Sequence, residues 1–120
     1  DQFGRSVALD QSRVVAGAPN ESSSSYGLNG EQENNNAPRS GAVYVFELSS
    51  TTQWSQTMYI KASNTGAGDL FGDALALDDR VMVVGAEEES STSMGLDGDQ
   101  NNDDALESGA VYVRLLNAEP

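Results

Sequence analysis

Apolar positions in this chain fall into short, β-branched runs divided by polar stretches. No segment repeats with the period of about 3.6 residues that marks an amphipathic helix. Ser6–Leu9 alternates small or polar with apolar residues, and Asp10-Gln11-Ser12 then turns the chain. Val14-Val15-Ala16-Gly17-Ala18 and Val81-Met82-Val83-Val84-Gly85-Ala86 are continuously apolar, the pattern expected of strands buried on both faces. A long polar loop follows each of them. In Gly41–Leu48, Val43 and Val45 then point to one side, Tyr44 and Phe46 to the other, and Gly109–Leu116 matches it. A further strand is expected at Thr57–Ala62, introduced by Trp54. The pattern predicts an all-β chain.

The strands belong to two copies of one unit. Asp1-Gln2-Phe3-Gly4 recurs as Asp69-Leu70-Phe71-Gly72, and Ser40-Gly41-Ala42-Val43-Tyr44-Val45 recurs unchanged as Ser108-Gly109-Ala110-Val111-Tyr112-Val113. Shifting the sequence by 68 positions aligns residues 1–52 with 69–120 without a gap, polar loops included. The units are expected to be residues 1–68, with a loop over 19–40, and residues 69–120, with a loop over 87–108 and no counterpart of the fourth strand. Four short antiparallel strands per unit suggest blades of β-propeller type, about two of them, forming an incomplete ring. A linear stack of repeats is the other geometry open to such units. A blade cannot bury both of its faces alone. Further copies of the repeat, in the same chain or in a homo-oligomer, are therefore expected as partners.

Charge narrows the partners further. Six basic against nineteen acidic residues give a net charge of −13, a field that repels nucleic acid and anionic lipid and favours divalent cations. There is no His and no Cys, which removes the commonest general base, thiol chemistry and thiolate metal sites. No apolar run approaches the roughly 20 residues of a membrane-spanning helix. No Ser/His/Asp set or phosphate-binding glycine loop is present, so the chain is expected not to be an enzyme. The opening at Asp1-Gln2-Phe3-Gly4, within a repeat, is expected of an excerpt from a longer protein.

These residues resemble the FG-GAP repeat, the blade unit of integrin-α-like propellers, in the long-repeat version of bacterial surface proteins. Phe3-Gly4 and Phe71-Gly72 match the FG. Gly17-Ala18-Pro19 matches the GAP, with Gly85-Ala86-Glu87 as a degenerate second copy. The resemblance implies an extracellular or cell-surface propeller used in adhesion or ligand binding, often with calcium in its loops. The integrin calcium loop lies between FG and GAP, where this chain has only tight turns near Asp10 and Asp78, so that site is not carried over.

The acidic residues lie after the GAP instead. Asp97, Asp99, Asn101 and Asp103 place oxygens on alternate positions around Gly98, a spacing that can curl toward a Ca2+ ion needing six to eight oxygens. Asn29, Glu31, Glu33 and Asn35 are the matching, more amide-rich set of the first copy. The same residues also suit solvated turns of an acidic, salt-adapted protein. Ser22–Ser25 and Ser90–Ser93 read as flexible polar loop or as exposed glycosylation sites, and Asn20-Glu21-Ser22 is a formal N-glycosylation sequon. Phe3, Phe71, Tyr44, Tyr112 and Trp54 are expected in an inter-repeat core. Gly17 and Gly85, inside strands, are expected to permit a bulge or close backbone approach.

Two functions remain open. One is a non-catalytic, calcium-stabilised module for adhesion or ligand binding. The other is a structural repeat of an extracellular fibre, sheath or appendage built head to tail.

Overall fold

The computed structural model describes residues 1–30, 33–50, 52–90 and 108–116. Every helix or strand among them is a strand. β1 (Ser6–Asp10), β2 (Arg13–Ala18), β3 (Ala42–Leu48) and β4 (Trp54–Ile60) form one antiparallel sheet in that order. β5 (Phe71–Asp78), β6 (Val81–Ala86) and β7 (Ala110–Leu115) form a second. The two sheets are the antiparallel blades expected from the repeat, and they do not close a ring. The polar residues at 11–12 and 79–80 make tight hairpins, in which Gln11 and Asp79 take left-handed φ values of 55° and 56°.

The pleat sorts side chains as the alternation predicts. Val15, Val43, Val45 and Ile60 leave one face of the first sheet. They meet Phe71, Met82 and Val84 of the second sheet and Leu116 just past its last strand, with Ala8, Met58, Leu75, Leu77 and Tyr112 packed around them. Backbone also crosses between the repeats. Gly68, Leu70 and Phe71 donate N–H bonds to the carbonyls of Pro38, Arg39 and Ser40, so the start of the second repeat is stitched to the end of the first polar loop. The repeat survives in ring geometry too: Phe3 on Tyr44 and Phe71 on Tyr112 are both edge-on pairs with centroids 5.2 Å apart.

Three local expectations change. The fourth strand starts earlier and ends earlier than Thr57–Ala62. Lys61 leaves it because its N–H bonds to Gly27 O across the loop (2.8 Å) and not to β3. The continuous apolar run of β6 is covered on one face only: Met82 and Val84 are sealed, while Val81 is exposed and Val83 half-buried. Phe3 and Trp54 are largely exposed, because both lie outside the face that the two sheets share. Among the described residues, no helix is long and apolar enough to cross a membrane.

Candidate functional site

The first polar loop is built on a buried ion pair. Glu21, just after β2, is 3% exposed, and Lys61, just after β4, is 2% exposed. Glu21 Oε1 accepts hydrogen bonds from Tyr59 Oη (2.8 Å), Ser23 N (3.0 Å) and Lys61 Nζ (3.3 Å). Lys61 Nζ also donates to Ser40 Oγ (2.6 Å), whose own proton is directed at Ser23 O (2.9 Å). Loss of solvent pushes the Lys61 amine below its ordinary range, against the opposing pull of Glu21. Burial likewise raises the Tyr59 phenol, and the carboxylate it donates to adds to that rise. Among the described residues no buried side-chain oxygen or nitrogen is left without a partner. The arrangement ties both ends of the loop to the blade.

The second repeat keeps half of this device. Ser108 Oγ donates to Glu89 O (3.2 Å), matching the longer branch of the Ser40 hydroxyl bond, which is shared between Ser23 O (2.9 Å) and Glu21 O (3.2 Å). Asn64, from the connection between repeats, donates to Glu89 Oε2 (3.1 Å) and accepts from Tyr112 Oη (2.6 Å). Burial first, then Glu89 and Asp69, raise the Tyr112 phenol. Glu21/Glu89 and Ser40/Ser108 are identical pairs at the repeat offset, the signal by which this cluster could have been found in the sequence.

Of the eight proposed metal ligands, Asn29, Glu33 and Asn35 are among the described residues. Asn29 Oδ1 accepts the Tyr59 N–H (2.9 Å), and Asn29 N donates to Tyr59 O (2.6 Å), so this side chain caps the outer edge of β4. Glu33 and Asn35 are exposed. The organiser is Asn34, one place off the alternating set: its Oδ1 accepts from Ser24 N (2.9 Å) and Asn36 N (3.0 Å). Glu31, Asp97, Asp99, Asn101 and Asp103 lie outside the described residues. Among the described residues no group of three or more acidic side chains is placed to hold a metal ion. Ser23 is fully buried and Ser22 Oγ accepts from Arg39 N (3.3 Å), so this part of the serine run is built structure.

Two sheet faces remain open. On the first sheet Val7 and Leu9 are 65% and 67% exposed, beside Phe3, Val14 and Phe46. On the second, Val111 and Val113 are 68% and 69% exposed, beside Val81, Val83 and Leu115. These faces are repeat-equivalents of the two that meet in the core. Val7 and Leu9 correspond to Leu75 and Leu77. Val111 and Val113 correspond to Val43 and Val45, which are both fully buried. Where the first repeat has the Arg13–Glu47 ion pair across β2 and β3 (3.2 Å), the second has Val81 opposite Leu115. The apolar character therefore extends to the rim of the open face.

No curated protein and no solved structure matches the chain. The family model for the FG-GAP repeat matches residues 1–46 and 54–114, nearly the whole sequence and both sheets. With its Phe-Gly turns, its Gly-Ala strand ends and a match that runs across both antiparallel sheets, the chain belongs to the FG-GAP repeat family.

Proposed function

We propose that this chain is a non-catalytic, extracellular repeat module that works by assembly. Blades stack through unlike faces into a larger propeller or array, and the polar loops at the blade ends are offered for adhesion or ligand binding. The observation that supports this reading is the pair of open apolar faces, each equivalent to one side of the interface already formed inside the chain. Exposed patches of this kind mark interaction surfaces. Because the two faces differ, the contact is heterologous: it closes into a ring or runs on as an open fibre according to the rotation between blades. The acidic loop around Asp97, Asp99, Asn101 and Asp103 is the place where calcium would stiffen the assembly, through carboxylate and amide oxygens.

The test is solution mass by light scattering over a concentration series, with calcium and then with chelator. Wild type is expected to associate, more strongly with calcium. Val113→Glu, on the exposed face, is expected to stay monomeric with an unchanged unfolding midpoint. If Val113→Glu associates like wild type, stacking through this face is wrong. If chelator changes nothing, calcium has no part in it.

A further inference from the structure

The strongest unassigned feature is a cavity of about 600 Å³ at the end of the open face of the second sheet, lined by Asp73, Ala74, Gly85, Glu87, Gly109 and Val111 among others. The equivalent positions in the first repeat are Arg5, Ser6, Gly17, Pro19, Gly41 and Val43. That place is filled by the Phe71-Gly72 turn of the following repeat. Ser6 Oγ donates to Gly72 O (2.8 Å), Phe71 N donates to Ser40 O (3.0 Å), and Gly41 pairs with Phe71 in a parallel bridge. A Cβ on Gly17 would run into Gly72 O, and one on Gly41 into Phe71 O. Glycine at those places is required by the closeness of the next repeat's backbone.

Gly85 holds the Gly17 position in the second repeat, yet the space over it is open. The nearest atom to a Cβ there is Ala74 Cβ at 3.6 Å, and its φ is not in the left-handed region. Nothing among the described residues asks for glycine at this mid-strand site, where glycine weakens a strand and commonly marks the approach of another backbone. The matching occupant is already shaped. Gly4 and Gly72 have φ values of 92° and 97°, and Gln2 and Leu70 have 55° and 60°. Arg5 N bonds to Gln2 O (3.0 Å) as Asp73 N does to Leu70 O (3.1 Å). Charge agrees as well. Inside the chain Arg5 at the cavity wall faces Asp73 of the incoming turn at 3.5 Å. Between copies the signs exchange, with Asp73 on the wall and Arg5 on the turn.

We infer that the cavity between Gly85 and Gly109 is a socket for the Phe3-Gly4 turn of a second copy of this chain, so that the FG of one repeat plugs into the GAP-strand end of the repeat before it. This rests on the stacking of open faces proposed above and specifies where it is registered. The second repeat lacks the serine bond, since Ala74 replaces Ser6, so backbone fit and the Asp73–Arg5 pairing carry the contact.

The experiment is sedimentation equilibrium of the full chain from micromolar to millimolar concentration, comparing wild type, Gly85→Ala and Val113→Glu. A methyl at Gly85 collides with the incoming turn, and overpacking of this kind weakens association about tenfold or more. Gly85→Ala is expected to show that loss while its urea midpoint is no lower than that of wild type. If Gly85→Ala associates as wild type does while Val113→Glu does not, the socket is wrong and face stacking stands. If wild type is monomeric throughout, both fall.

Discussion

Replacing Lys61 with methionine tests whether the Glu21–Lys61 pair holds the first repeat together. Methionine keeps most of the side-chain volume, so the change removes charge and hydrogen bonds with little loss of packing. At the observed 3.3 Å separation, Coulomb attraction amounts to about 5 kcal/mol at an effective dielectric constant of about 20. Desolvation of both groups offsets much of that in the intact pair. With the ammonium gone, the offset stays and the attraction does not. Glu21 Oε1 still accepts from Tyr59 Oη and Ser23 N, which limits the damage. Removing one partner of a buried pair costs roughly 3–5 kcal/mol, and the two surviving donors put Lys61→Met near ~3 kcal/mol. Glu21→Gln with Lys61→Met removes both charges, leaves an amide oxygen for the same two donors, and should return to within about 1 kcal/mol of wild type.

The assay is urea unfolding followed by far-ultraviolet circular dichroism for wild type, both single variants and the double variant. A coupling of about 2 kcal/mol or more between positions 21 and 61 is expected from groups that share one network. A Lys61→Met cost below about 1 kcal/mol, or additive single effects, would refute the reasoning and leave the loop held by its serine and backbone bonds.

Two other outcomes follow from the same geometry. Gly41 and Gly109 both have φ of 89°, but a methyl on Gly41 strikes Phe71, whereas on Gly109 it meets Glu87 O at 3.3 Å. Gly41→Ala should therefore cost at least ~3 kcal/mol in chemical unfolding, and Gly109→Ala only the left-handed strain of about 1–2 kcal/mol. Equal costs would mean that contact between the repeats at Phe71 is slack. In alkali, Tyr44, Tyr59 and Tyr112 have raised folded pKa values, so the stability they contribute is complete below the unfolded tyrosine pKa of about 10 and is lost above it. Lys61, with a lowered folded pKa, acts in the opposite sense, losing stability as pH falls through that value. Three phenols outweigh one amine, and the urea midpoint should fall steeply above pH ~10, less steeply in Tyr59→Phe. A flat profile there would show that the phenols are not buried.

The repeat, its strand order and the alternation that builds the core could be read from residue patterns, because period-2 alternation and identical segments at a fixed offset are local signals. Val43 and Val45 against Tyr44 and Phe46 sort as the pleat requires. Gly17 was legible as a close-approach site, and Gly72 is the backbone that approaches it. The Glu21–Lys61 pair was not legible, since it joins residues 40 apart and nothing local marks a lysine as buried. In the first polar loop alternation selects Asn29, Glu31, Glu33 and Asn35, and it passes over Asn34, whose Oδ1 organises the described part of the loop, while Asn29 bonds the backbone of Tyr59. Loop oxygens follow turn geometry, which has no fixed period in sequence. The one-sided burial of β6 could not be read either, because the same apolar run serves a strand covered on one face or on two.

What the open faces can contribute is bounded by their size. Val7, Leu9, Val111 and Val113 are each about two-thirds exposed. Burying such a side chain completely is worth ~1.5–3 kcal/mol, so the four together offer roughly 4–8 kcal/mol. Joining two free molecules costs about 4–15 kcal/mol in lost motion and side-chain ordering. Between separate copies these faces alone give weak association, which is why a socket that fixes register and the Asp73–Arg5 pairing would matter. Between repeats on one chain the connecting segment has already removed most of that cost, and the same area suffices. The internal interface is such a case: the segment from Ala62 to Leu70 delivers Phe71-Gly72 to its place, and Phe71 N, Gly41 and Ser6 hold it there. Each added repeat would then meet its neighbour through the same unlike faces at the same rotation. Whether blades end in a ring or continue as a fibre is decided by that rotation and not by the strength of any one contact.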